Sequence, residues 1–258
     1  MADHQLTLQV EDAVGKMKQV PQVLAFSCGA DSLASLIRMI DWGITPKALI
    51  YYYFIPDLPM IENYLRYIED KTGICIYRFP SAISMQYYIN GLLQFPGVGQ
   101  CVYEELAKYY EVPKTSEIND YIMESFPSNS YMAIGLRVSD GIFRAKLLRE
   151  KGPIAVNRNE WYPVADCYRS DIVSMIEKSG FRLPIDYCLF GRSFESIRHW
   201  TAPPIKEHCP KTWLKILEYF PMANLLCGQD SLIKKSREIQ SRITSYAHLS
   251  FKNEEAVE

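Results

Sequence analysis

Between Val23 and Phe79 the chain alternates short apolar runs with longer stretches whose apolar residues return at helical spacing. Val23–Phe26 predicts a buried strand. Ser32–Trp42, with Leu33, Leu36, Ile37 and Ile40 on one face, predicts a helix that Gly43 closes. Ala48–Ile55 is a β-branched and aromatic run ended by Pro56, with Tyr51, Tyr52 and Tyr53 expected to alternate between core and rim. A helix follows over Pro59–Lys71, where Ile61, Leu65 and Ile68 make the buried stripe and Gly73 sits at C′. Ile74–Phe79 reads as a third strand. Three strands separated by single helices require right-handed crossovers and a parallel sheet, which is half of a doubly wound α/β fold.

The pattern then becomes more helical. Ser81–Phe95, Val102–Glu111 and Ser116–Phe126 predict helices, Tyr131–Leu136 a fourth strand, and the stretch from Asp140 to Glu150 another helix. After Trp161-Tyr162-Pro163-Val164 comes a helix over Asp171–Ser179, with Ser170 as expected N-cap and Gly180 as its stop. From Thr201 the pattern is helical to the end. The expected organisation is an α/β nucleotide-binding domain over 1–200, a mostly parallel, Rossmann-like sheet between helical layers, with a helical extension over 201–258 packed on it.

Composition fits a globular chain: 48% hydrophobic and 22% charged residues, and a formal net charge of −2. That charge gives no global attraction to nucleic acid or an anionic membrane, so a partner has to be argued from a local site. Lys234, Lys235, Arg237 and Arg242 read either as a solvated helix face or as a local nucleic-acid patch. Seven cysteines without a C-x-x-C pair, and a polar start lacking an apolar signal core, predict reduced thiols in a cytoplasmic protein. ALIYYYFI, the longest apolar run, is too short to span a bilayer, so no membrane association is expected.

The first strand passes into its helix through Ser27-Cys28-Gly29-Ala30-Asp31-Ser32. In an open parallel sheet, ligands collect outside the carboxyl ends of the strands, and the loop after the first strand meets phosphate at the following helix N-terminus. Gly29 allows close backbone approach, Ser27 and Ser32 offer hydroxyls, and Asp31 either caps the helix or helps hold Mg²⁺. The competing reading is plain helix capping by Ser and Asp. No G-x-x-x-x-G-K-[ST] is present, and GVGQCV at Gly97 lacks both the third glycine and a preceding strand. Cys28 at a helix N-terminus could be a nucleophile, but a small packing residue is the simpler reading. His199 and His208 beside Cys209 match no strong zinc spacing.

SCGADS resembles the S-x-G-x-D-S signature of the PP-loop, or adenine nucleotide α-hydrolase-like, superfamily. IGLRVSDGIFRAKLL and WYPVADCYRSDIVSMIEKSGFRLPIDYCLFGRS resemble, in order, segments of its phosphoadenosine phosphosulfate (PAPS) reductase-like branch. The resemblance covers roughly residues 20 to 195. It implies that Ser27, Cys28, Gly29, Ala30, Asp31 and Ser32 cradle the β,γ-pyrophosphate of ATP or the phosphosulfate end of a sulfonucleotide. Gly135 and Arg137 would face the same group from the fourth strand, Arg144 would add a second charge, and Asp31 would hold Mg²⁺. For Arg144 the alternative is an i,i+4 partner of Asp140 on a helix surface. Read from the residues themselves, one of Tyr51, Tyr52 and Tyr53 is a candidate to stack on adenine.

The resemblance also has gaps. The branch's Glu-Cys-Gly thiol motif near the C-terminus is missing; Leu226-Cys227-Gly228 is the nearest string and reads as a helix end. The cysteine pairs of an iron–sulfur cluster are missing too, so no cluster is expected. The implied activity is cleavage of ATP between its α- and β-phosphates to adenylate an unidentified acceptor. The alternatives are a sulfonucleotide reductase or transferase using a partner protein's thiol, and a non-catalytic nucleotide-binding subunit of a DNA-modification or regulatory complex.

Overall fold

The computed structural model describes residues 4–95 and 111–227. A first helix, α1 (His4–Met17), leads into β1 (Gln22–Ala25), and the strand runs through the tight loop into α2 (Ala30–Asp41). Then follow β2 (Ala48–Tyr53), α3 (Pro59–Thr72), β3 (Ile76–Pro80), α4 (Ala82–Ile89) and α5 (Thr115–Met123). Next come β4 (Tyr131–Ile134), a 3-10 turn (Val138–Asp140), α6 (Ile142–Lys151), and two very short strands, β5 (Ile154–Ala155) and β6 (Glu160–Trp161). The remainder is α7 (Arg169–Ser179), α8 (Asp186–Phe190), α9 (Ala202–His208), α10 (Pro210–Tyr219) and a 3-10 segment (Pro221–Cys227).

The six strands form one sheet in the order β3-β2-β1-β4-β6-β5. β1 pairs in parallel with β2 and with β4, β4 pairs in parallel with β6, and β5 runs antiparallel to β6. The chain builds outward from β1 to β3 and then returns to place β4 on β1's other side. With right-handed crossovers this reversal puts helices on both faces, a doubly wound Rossmann-like α/β fold. The loop after β1 lies at the reversal.

Several boundaries differ from the sequence expectation. β4 stops at Ile134, before Gly135, rather than at Leu136. The helix expected from Asp140 is split: the 3-10 turn ends at Asp140, Gly141 takes φ +152, and α6 begins at Ile142. α4 ends at Ile89, well short of Phe95, because Gly91 and Leu93 take left-handed φ values of 59 and 60. The N-cap of α7 is Tyr168, not Ser170: the Asp171 carboxylate accepts from the Tyr168 N–H at 2.7 Å, which starts the helix earlier. Gly180 does stop it, at φ 70. The helix expected over Val102–Glu111, apart from Glu111 itself, and the basic cluster from Lys234 to Arg242 lie outside the described residues.

By its contacts the chain divides into two units built from interleaved pieces. The first comprises residues 1–51, 68–77 and 121–183, the second 52–67, 78–120 and 184–258. In the first, Val23, Leu24, Leu49, Ile50, Met132 and Ala133 fill the sheet interior, and Leu33 and Leu36 of α2 are wholly buried. Ile172 and Ile176 supply the buried stripe of α7, which packs on α2. Leu6 and Val10 of α1 share a cluster with Val138, Leu148, Tyr162 and Ala165. Arg38 of α2 closes this unit polarly. Its guanidinium makes a two-pronged pair with Asp166, donates to Pro163 O at 3.0 Å, and stacks 4.6 Å from the Trp42 ring centroid. Burial alone would raise the Asp166 pKa, but the bonds from Arg38 outweigh it and hold the carboxyl below the usual carboxylate range.

The second unit is aromatic. Phe54 packs edge-on to Tyr87 at 4.9 Å and stacks on Phe220 at 5.2 Å, and Tyr88 stacks on the same Phe220 at 5.3 Å. Ser84 Oγ donates to Phe54 O at 2.7 Å, tying α4 to the end of β2. Asp186 of α8 is fully buried: one carboxylate oxygen accepts from the Phe194 N–H at 2.6 Å, and the other has no hydrogen-bond partner. Burial pushes its pKa up to about 7, so the neutral acid is the favoured form below that pH.

Candidate functional site

The loop from β1 to α2 turns at Cys28, whose φ of 58 is left-handed, and not at Gly29, whose φ of −86 is extended. Gly29 therefore does not supply the turn. Cys28 is buried, in keeping with a packing role rather than that of an exposed nucleophile. Leu33 N–H donates to Gly29 O at 2.9 Å, the opening bond of the α2 ladder, so the Asp31 and Ser32 amides lie ahead of it. Ser32 Oγ also donates to Gly29 O at 2.9 Å, Ser27 Oγ lies 3.2 Å from Ser32 Oγ, and Gly29 N–H reaches Ser27 Oγ at 3.4 Å. The two hydroxyls bracket the loop. The N-cap position of α2 is Gly29, which has no side chain of its own to cap with, and Ser27 Oγ takes the Gly29 N–H instead.

The residue that demands glycine is Gly135, just past β4. A Cβ there would stand 2.8 Å from Asp31 C, 2.9 Å from Asp31 O and 2.9 Å from Ser32 N. Parallel pairing of β1 with β4, with Ala25 opposite Ile134, carries Gly135 onto the first peptide of α2. Only a missing side chain lets the two backbones meet.

Two residues on, Arg137 closes the charge pattern. Its Nε lies 2.9 Å from Asp31 Oδ1 and its Nη2 2.8 Å from Asp140 Oδ1. The Arg137 N–H donates to Asp140 Oδ2 at 3.0 Å, and Arg144 Nη1 reaches the same oxygen at 3.2 Å. The result is a chain of alternating sign, Asp31–Arg137–Asp140–Arg144, running from 32% exposed at Asp31 to 55% at Arg144, with Arg137 and Asp140 at 14% and 11%. Burial raises the Asp31 pKa to about 6; Arg137 pulls it down, and Asp140 pushes it up. Asp31 is thus a carboxylate whose charge is weakly held.

The structure therefore brings Ser27, Ser32, Asp31, Gly135, Arg137 and Arg144 into one neighbourhood around the loop. It confirms Asp140 as the i,i+4 partner of Arg144 and shows it also as the hub that orients Arg137, a role the sequence alone did not disclose. The arrangement suits an anion: two helix amides precede the ladder, two hydroxyls flank them, and two guanidinium groups already hold carboxylates that a phosphate can replace. For a divalent cation the neighbourhood offers Asp31, which matches ions that take one or two protein carboxylates and draw their remaining ligands from phosphate and water. Among the described residues no cluster of three or more His, Cys, Asp or Glu is placed to hold a metal, which leaves His199, His208 and Cys209 without that role.

Other features are less suited to chemistry. Burial pushes the Cys167 thiol up to about 12 and raises that of Cys227, the opposite of activation. Tyr52 donates to Asn119 Oδ1, and burial pushes its pKa up to about 12. Asp186 was not singled out in the sequence; its only signal is an acid set in the apolar string Leu183-Pro184-Ile185-Asp186-Tyr187. No helix among the described residues is long and apolar enough to cross a membrane.

The fold is that of a doubly wound α/β protein with a small polar loop at the reversal point of its sheet. No family model and no curated protein matches the chain. Among solved structures it is similar to the NH3-dependent NAD synthetase from Campylobacter jejuni subsp. jejuni NCTC 11168 in complex with the nitrate ion. That similarity has a TM-score of 0.37 and 14% identity, and covers 93% of this chain and 95% of that one.

Proposed function

We propose that this chain is a PP-loop enzyme of the PAPS reductase-like branch that binds ATP and cleaves it between the α- and β-phosphates, adenylating an acceptor. The observation that carries the reading is the Ser27–Ser32 loop at the end of β1, with Gly135 packed on its helix start and Arg137 paired to Asp31. The acceptor's lone pair forms the new bond to the α-phosphorus. The α–β bridging P–O bond breaks, and pyrophosphate leaves with the electron pair. The loop amides and hydroxyls bind the leaving pyrophosphate; Arg137 and Arg144 stabilise the charge that grows on it. Asp31 would hold the Mg²⁺ that accompanies ATP, which when bound supplies positive charge to the phosphate oxygens. Asp140 is a positioning residue that keeps Arg137 and Arg144 in place.

Sulfonucleotide reduction through Cys227, the nearest match to the branch's thiol motif, is disfavoured, since burial raises its pKa. The test is calorimetric titration of wild type and Ser32→Ala with ATP and with PAPS in Mg²⁺, followed by assay of AMP and pyrophosphate release. ATP binding that weakens in Ser32→Ala, with AMP release lost in Asp31→Ala, is the expected result. A preference for PAPS would overturn the choice of nucleotide, and binding without any AMP would reduce the protein to a nucleotide-binding subunit.

A further inference from the structure

The start of α6 leaves two large apolar side chains in water. Ile142 is 86% exposed and Phe143 92%, the highest value for a large apolar residue among the described residues. They follow Gly141, where nothing lies within 4 Å of the position a Cβ would take, so the helix begins on an open side of its unit. Leu148 is the one residue of α6 that is fully buried. The exposed remainder carries Arg144, Lys146, Arg149 and Lys151 with Glu150, and Arg144 also pairs with Asp140 just ahead of the helix. Lys146 and Glu150 pair only loosely, at 3.8 Å, and both are mostly exposed, so the pair adds little and screens little.

The apolar patch does not continue along the helix. One and two turns on from Ile142 and Phe143, at about 5.4 Å per turn, the same face carries Lys146, Arg149 and Glu150, with the half-buried Leu147 on its flank. A partner helix lying along α6 would need an apolar stripe there. An exposed ring at one end, followed by cations at successive turns, is instead the combination that takes a stacked base and the phosphates beside it.

We propose that α6 is a docking surface for single-stranded nucleic acid, with a base stacked on Phe143, Ile142 against its edge, and the phosphate backbone following Lys146 and Arg149. A duplex keeps its bases stacked on one another and offers Phe143 no free face, so the surface selects single strands. This inference stands apart from the ATP reading, because neither Phe143 nor Lys146 belongs to the loop site.

The test is fluorescence anisotropy with the full chain and fluorescein-labelled single-stranded RNA and DNA oligonucleotides and their duplexes, across a salt series. The variants are Phe143→Ala and Lys146→Glu, both at exposed positions, with wild-type melting temperature as the folding control. Phe143→Ala should weaken single-strand binding about tenfold and leave the salt slope unchanged. Lys146→Glu should weaken binding of all sequences and reduce the salt slope by about one or more. The proposal is overturned by no binding at low salt, by binding that neither variant alters, or by duplex binding as tight as single-strand binding with Phe143→Ala inert. Displacement of the oligonucleotide by polyglutamate with Phe143→Ala inert would also overturn it, in favour of an acidic polypeptide.

Discussion

Adding one methyl group at two glycines should move stability in opposite directions. At Gly135 the new Cβ would lie 2.8–2.9 Å from three backbone atoms of Asp31 and Ser32. Ordinary carbon contacts begin near ~3.5 Å, so backbone must yield by about 0.6 Å, with no flexible side chain to absorb the shift. Overpacking of this kind costs about 1–3 kcal/mol. At about 2 kcal/mol, Gly135→Ala should lower Tm by roughly 4–8 °C for a chain of this size. It should also weaken ATP binding at least about tenfold, since the displaced peptide carries the amides that the proposed function assigns to the phosphates. Gly15, near the end of α1, has nothing within 4 Å of its would-be Cβ. There alanine removes glycine's helix penalty of up to about 1 kcal/mol and should raise Tm by about 1–3 °C, with ATP binding untouched. Thermal unfolding by circular dichroism and calorimetric titration read both effects. Gly135→Ala that melts and binds like wild type would refute the close approach of β4 to α2.

Asp31 carries a pKa raised from 3.8 to about 6, so the fold favours its neutral form, and its ionisation costs stability increasingly from about pH 4 to pH 6. Asp31→Asn should therefore raise the ligand-free Tm at pH 8 by an amount corresponding to about 1–2 kcal/mol, after allowance for its partial exposure, and leave it nearly unchanged at pH 4. The same variant should lose Mg²⁺-dependent ATP binding, and equal Tm gains at both pH values would refute the assignment. Asp186, raised from 3.8 to about 7, follows the same sign over about pH 4 to pH 7, with an upper bound near about 4 kcal/mol. Asp186→Asn copies the neutral acid's shape, so it should flatten the fall in Tm between pH 5 and pH 8; a profile as steep as wild type would count against a buried acid. Arg38→Ala strands the buried Asp166 carboxylate and should cost about 3–5 kcal/mol in urea unfolding, whereas Arg38→Ala combined with Asp166→Ala should recover part of that loss.

The alternation from β1 to β3 was legible because each element announces itself locally: an apolar run, a helical stripe, and a glycine or proline to end it. Gly180 stops α7 as its position suggested, and β1, α2 and α3 fall within two residues of the reading. β5 and β6 were not legible, since two residues cannot show an alternating pattern. They exist through pairing, with Met132 opposite Glu160 and Ala133 opposite Trp161. The start of α7 was misplaced because Ser170 and Asp171 both have capping side chains, and which one acts depends on where the backbone enters. At the site, residue types and rim were readable, but the pairing of Asp31 with Arg137 was not. It depends on β4 returning beside β1, a contact between segments more than a hundred positions apart.

The interleaved division has a consequence for a chain emerging from the ribosome. The first unit is complete once Leu183 has been made, and with it every residue of the proposed phosphate site. The second has its early pieces, 52–67 and 78–120, synthesised long before Pro184 begins the third. At about 5–20 residues per second those early pieces wait several seconds for their remaining partners, with Phe54, Tyr87 and Tyr88 yet to meet Phe194 and Phe220. A nascent chain stalled shortly after residue 183 would hold the site's residues and still show that aromatic surface to chaperones.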